Sequence, residues 1–144
     1  MTTVAQYNGT AQHILAKGAD GLALKFELLS NSALFNAAHT TRSQVNNTLA
    51  YAISGNGWPA GGAALVGLVS TAVTTNDAIL DANDISVVAA GGTIGPAYKG
   101  VIYDDNDPSD KPLFFFDFEG AKQAENGTNF QVQMSADGLV KLND

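Results

Sequence analysis

Residues 22–29 alternate with a period of two: Leu22, Leu24, Phe26 and Leu28 interleave with Ala23, Lys25, Glu27 and Leu29. A helix would scatter the first set around its circumference, whereas a strand gathers it on one face, so the segment reads as a half-buried strand. The rhythm returns at residues 49–53, 98–103 and 130–134. Turn chemistry separates these runs at Ser54-Gly55-Asn56-Gly57, Asn76-Asp77, Gly91-Gly92, Glu125-Asn126-Gly127 and Asp137-Gly138. Seven or eight short strands at spacings of roughly ten residues predict an all-β fold. The expected architecture is an antiparallel β-sandwich or jelly roll with a short N-terminal helix.

Residues 1–20 read as that N-terminal helix or arm, and residues 21–144 as a single β-sandwich domain. Ala11, Ile14 and Leu15 share a helical face, Thr10 is placed to cap its start, and Gly18 to close its end. Residues 30–47 are polar with scattered apolar positions and read as a long surface excursion. These two stretches carry the least patterning, so they are expected to order mainly against neighbouring subunits. Residues 64–74 read as one strand with Leu65, Gly67, Val69 and Thr71 on one face, and shorter strands are expected at 78–81, 85–89 and 97–103. Leu113-Phe114-Phe115-Phe116 is apolar on both faces and reads as a central strand buried on both sides, continuing through Asp117-Phe118. Asp137-Gly138 is expected to turn the chain so that residues 139–142 pair back as a last strand. Phe26, Leu113, Phe115, Val132 and Leu139 are expected to supply much of the core.

A chain of 144 residues suits one domain with a single core. Charged residues are scarce at 15%, which leaves surface that a neighbouring subunit can cover. The formal net charge is −7, and the seven basic residues are spread singly from Lys17 to Lys141. Binders of duplex DNA present clustered Lys and Arg to a dense line of phosphates, so nucleic acid is not expected as a partner, nor is an anionic membrane. The absence of cysteine rules out disulfides and thiolate metal sites. No basic segment followed by an apolar one opens the chain, and residues 60–73 are interrupted by Gly61, Gly62, Gly67, Ser70 and Thr71. A soluble protein made in the cytosol is expected.

Candidate chemistry is thin. His13 and His39 sit in no motif and read as surface or interface residues. Ser54 lacks the surrounding Gly-x-Ser-x-Gly, and Gly55-Asn56-Gly57 and Gly91-Gly92 lack the Lys that follows a phosphate loop. Asp104, Asp105, Asp107 and Asp110 crowd one loop. Read as a calcium loop from Asp105, it has no glycine at the sixth position, and Phe116 stands where a bidentate Glu is needed. It therefore reads as a solvated acidic hairpin tip. Trp58, beside Pro59 in a glycine-rich turn, is either a core plug or an aromatic interface anchor.

The motifs also occur in a recognisable order. Ile53-Ser54-Gly55-Asn56-Gly57-Trp58-Pro59-Ala60-Gly61-Gly62 is followed by Leu80-Asp81-Ala82-Asn83-Asp84-Ile85. Gly95-Pro96-Ala97-Tyr98, Val101-Ile102-Tyr103-Asp104-Asp105, Pro112-Leu113, Phe116-Asp117-Phe118 and the terminal Phe130, Gly138-Leu139-Val140 and Leu142 come next. From about Ala50 to Leu142 this resembles a family of small virion proteins of tailed phages, in which an "SGTGYTAGG"-like turn, a "DADD" strand entry and a "YDD…PL…DF" hairpin recur. The chain departs from that pattern at Trp58-Pro59, where Tyr-Thr is common, at Val87-Val88, where a Trp often sits, and in a Gln-rich final strand. The resemblance implies a head decoration, or cement, protein on the outer surface of the virion, with no catalytic residues, cofactor or metal. Its partners would be the major capsid protein and further copies of itself, as a dimer or trimer on a capsid axis. Trp58, Pro59, Phe35, Tyr51, Phe114 and Phe116 are the candidate interface residues. A tail, baseplate or fibre component and a carbohydrate-binding sandwich are the alternatives.

Overall fold

The computed structural model describes residues 3–74, 77–134 and 140–142. Strand β1 (Thr3–Gln6), helix α1 (Thr10–Lys17) and a 3-10 turn at Ala19–Gly21 lead into β2 (Leu24–Leu29). The excursion that follows contains helix α2 (Arg42–Val45) and ends at β3 (Ala52–Ile53). Then come β4 (Ala63–Ala64), β5 (Val69–Thr74), β6 (Asp77–Asp81), β7 (Ile85–Val88) and β8 (Ile94–Asp104). The chain continues with β9 (Lys111–Ala124), β10 (Asn129–Val132) and β11 (Val140–Leu142).

The largest sheet runs β1-β9-β8-β2-β3, with β4 also on β2, and smaller sheets pair β10 with β7 and order β11-β6-β5. The pairings are antiparallel. The fold is mostly β and sandwich-like, with a short N-terminal helix.

Period-two alternation explains where the core sits. Leu24, Phe26 and Leu28 of β2 meet Ile102, Phe114 and Phe118 of the same sheet. Leu80, Ile85 and Phe130 of the small sheets close over them together with Trp58, which stands edge-on to Phe130 at 5.3 Å. The intervening residues Leu29, Val101 and Phe115 point to the opposite face, where Tyr7, Ala33 and Val45 cover them. Each side chain of this size removed from water contributes about 1.5–3 kcal/mol. Strand β9 is thus buried on both sides at Leu113, Phe114 and Phe115, as its unbroken apolar run predicts.

The structure departs from the sequence pattern in several places. Residues 3–20 and 30–47 order against the chain itself: β1 pairs with β9, and Tyr7, Ile14, Ala33 and Val45 are all buried. Gly9, not Thr10, occupies the helix N-cap, and the Thr10 hydroxyl lies inside, hydrogen-bonded to the carbonyls of Tyr7 and Leu113, both at 2.8 Å. Leu15 faces solvent. Leu49 is not in a strand but in a turn at φ 72, with its N–H bonded to the Asn46 side chain. The expected strand over 64–74 is two strands in different sheets, β4 on β2 and β5 on β6, with Gly67 at φ 66 between them. Strand β11 pairs with β6 rather than folding back on β10. Asn76, the Asp137-Gly138 turn and Leu139 lie outside the described residues. Val132 packs only partly against the core.

Candidate docking surface

Residues 30–47 cross the outer face of the large sheet and are fastened to it at three of its residues, Glu27, Lys99 and Tyr103. Glu27, fully enclosed on β2, accepts hydrogen bonds from Arg42 and from the Asn46 amide. Burial would lower the affinity of the Arg42 guanidinium for its proton, but the bond and charge of Glu27 outweigh it and raise the value. The guanidinium also lies over the Tyr103 ring at 4.8 Å. Burial pushes the Tyr103 hydroxyl up to about 12. Lys99 Nζ donates to the carbonyls of Ala33 at 2.7 Å and Asn31 at 3.3 Å. The Asn8 N–H donates to the Ala37 carbonyl at 2.9 Å, and the Thr41–Gln44 capping box holds the start of α2.

Between these anchors the loop turns Leu34 and Phe35 outward, 72% and 38% exposed. The Phe35 ring leans on Tyr7 at 5.0 Å and Phe115 at 5.8 Å, so the side chain is braced from behind while its edge stays open. A groove of about 240 Å³ separates this pair from the edge strand, with Thr3 and Ala5 along one side and Phe115, Lys99 and Asp117 on its floor. The Val4 backbone lies along it, while the Val4 side chain, 55% exposed, is on the opposite face of the sheet with its register partner Phe116. Burial holds the Tyr7 hydroxyl well above its usual range.

The acidic loop is exposed or half-buried from Asp105 to Asp110, as a solvated tip would be, and only Asp104, at the end of β8, departs from that reading. Asp104 is fully buried and accepts from His13 Nε2 at 2.8 Å, Lys17 Nζ at 3.0 Å and the N–H groups of Ala23 and Asn106. Burial alone would raise its pKa, but these donors, His13 foremost, pull it below the usual carboxylate range. Asp105 pairs with Lys25 at 3.2 Å, and Asp107 accepts from the Ser109 N–H and hydroxyl. Asp110 is pushed upward by burial and by neighbouring Asp105, with Arg42 acting the other way. The carboxylates therefore diverge, and among the described residues no three His, Asp or Glu converge as metal ligands.

No protein-family model, curated protein or solved structure matches the chain.

The six candidate interface residues separate cleanly. Trp58 is 2% exposed and Phe114 1%, so both are core and neither can reach a partner without the fold opening. Buried in this way, Trp58 does not offer an exposed face for stacking a sugar ring. Tyr51 and Phe116 are half-buried against the two clusters, and Pro59 is exposed on the glycine-rich turn. Only Phe35 joins the groove. Sequence reasoning missed Leu34. The signal available was an adjacent apolar pair, Leu34-Phe35, standing in a polar stretch without helical or strand period, which is how an outward-facing apolar contact looks.

Proposed function

We propose that this protein is a small structural component of a tailed-phage particle that binds the outer face of the assembled head and bridges neighbouring coat subunits. The observation that carries the reading is the exposed apolar pair Leu34 and Phe35 beside its groove, held on a rigid sheet by the fastenings of residues 30–47. Apolar and aromatic side chains gathered in this way mark protein contact surfaces. The phage assignment rests on the ordered motifs between Ile53 and Leu142. A net charge of −7 suits a position outside the shell, away from packaged DNA. Many copies that bind the assembled lattice and not its separate parts stabilise the lattice by mass action.

Expanded heads lacking the protein, mixed with purified tagged chain and heated, are expected to retain DNA to a higher temperature than untreated heads. Negative-stain images should place the tag on the head surface. The double substitution Leu34→Asp, Phe35→Asp should weaken head binding by at least ~30-fold, the loss expected when a central apolar anchor is removed. Equal heat survival with and without the protein, or label found only on tails, overturns the reading.

A further inference from the structure

The two edges of the large sheet are unlike. Strand β3 is only two residues long, which blunts that edge. Strand β1, Thr3-Val4-Ala5-Gln6, has no charge, no proline and no bulge, the devices that keep edge strands from pairing with other chains. The Tyr7 N–H donates to Leu113 on the β9 side at 3.0 Å. With a period of two, Ala5 and Thr3 also face β9, while Val4 and Gln6 direct their N–H and C=O groups away from the sheet. The next outward N–H, that of Asn8, is already taken by the Ala37 carbonyl, so the ladder left open among the described residues ends after Gln6.

We propose that a second copy of this chain occupies that edge, pairing β1 antiparallel to β1 across a two-fold axis through Ala5. In this register Val4 of each copy lies opposite Gln6 of the other. Both are outward residues, so every free backbone group between them finds a partner, and the contact is isologous and closed. The ends of the strip are complementary in charge. Asp117 stands beside Thr3, and Lys111 Nζ rests on the Asn8 carbonyl at 3.0 Å. Antiparallel apposition turns the Asp117 end of one copy toward the Lys111 end of the other. Each copy carries −7 overall, but the strip itself is neutral, and at physiological salt charges beyond about 8 Å are screened. The inference stands on the edge geometry and is independent of the virion reading.

Sedimentation velocity of the full chain across a concentration series in roughly 0.5 M salt, where the −7 on each copy is screened, should show a monomer–dimer equilibrium. Val4→Pro removes an outward donor that β9 does not use, and proline is tolerated on such an edge. It should weaken dimerisation at least tenfold while leaving the melting temperature within a few degrees. Ala5→Lys and Ala5→Glu, each placing like charges opposite one another at the axis, should be monomeric alone and form a heterodimer when mixed. If either Ala5 variant fails to fold by circular dichroism, Val4→Pro decides the matter alone. A chain that stays monomeric in 0.5 M salt, a trimer, a dimer unaffected by Val4→Pro, or a failure of the mixed, folded Ala5 variants to associate overturns the proposal.

Discussion

Asp104 and Asp110 sit six positions apart in one acidic run and respond to pH with opposite sign. The folded pKa of Asp104 lies below the ordinary carboxylate value, because His13, Lys17 and two backbone N–H groups favour its charge. Its contribution to stability is therefore complete above the unfolded value of about 4 and is lost as pH falls through the lower folded value. Asp110 is shifted up, chiefly by burial, so its contribution is present below the unfolded value and is lost as pH rises through the folded one. Urea titrations should show Asp104→Asn lowering the midpoint at pH 7 and flattening the acid decline. Asp110→Asn should raise the midpoint slightly at pH 7 and leave it unchanged at pH 3. The same sign for both variants at pH 7 would contradict these assignments. None of this division was legible in the sequence, where both residues belonged to one hydrophilic loop. The inward turn of Asp104 depends on His13 and Lys17 arriving from α1, a contact between residues roughly ninety positions apart. Glu27 escaped notice for a related reason: alternation put it on the outer face of β2, and only α2 made that face an interior.

Elements were legible where both their faces had an occupant and illegible where an edge or a break decided them. β2 and β9 announced themselves by alternation and by an unbroken apolar run, and both lie where expected. β1 did not, since four uncharged residues at a sheet edge carry no burial contrast. A periodic run also says nothing about which strand it will join, so the partner of β11 was misassigned. Glycine breaks are harder still, because Gly67 and Gly62 look alike in sequence. At Gly62 the backbone adopts φ 103, and an added Cβ would overlap the Phe26 carbonyl on β2. Gly127, at φ 88, has open space around that position. Gly62→Ala should therefore lose about 3 kcal/mol or more, combining strain with steric overlap. Gly127→Ala should lose about 1 kcal/mol from conformation alone. Equal losses, measured by chemical denaturation, would mean that β4 is free to move off β2.

For the whole molecule, the two-fold axis through Ala5 has a geometric consequence for docking. An axis normal to the sheet keeps both grooves on the same side of the joined sheets, so a dimer presents two Leu34–Phe35 strips to one flat partner. The first strip to bind holds the second near its own site, and the second engagement becomes intramolecular. On a lattice whose repeat matches the spacing of the strips, the dimer should bind expanded heads ~100-fold or more tighter than the monomer, with no new contact made. The mixed Ala5→Lys and Ala5→Glu chains isolate this effect. Each variant alone carries one altered residue and one strip, whereas the heterodimer carries the same alterations and two strips. Because Ala5 lines the groove, the altered residue lowers the affinity of every strip, so head binding measured by co-sedimentation should be weak for either variant and at least ~10-fold tighter for the mixture. Recovery of dimerisation without recovery of head affinity would show that the strips engage singly, and that bridging of coat subunits proceeds through one strip and another face of the same copy.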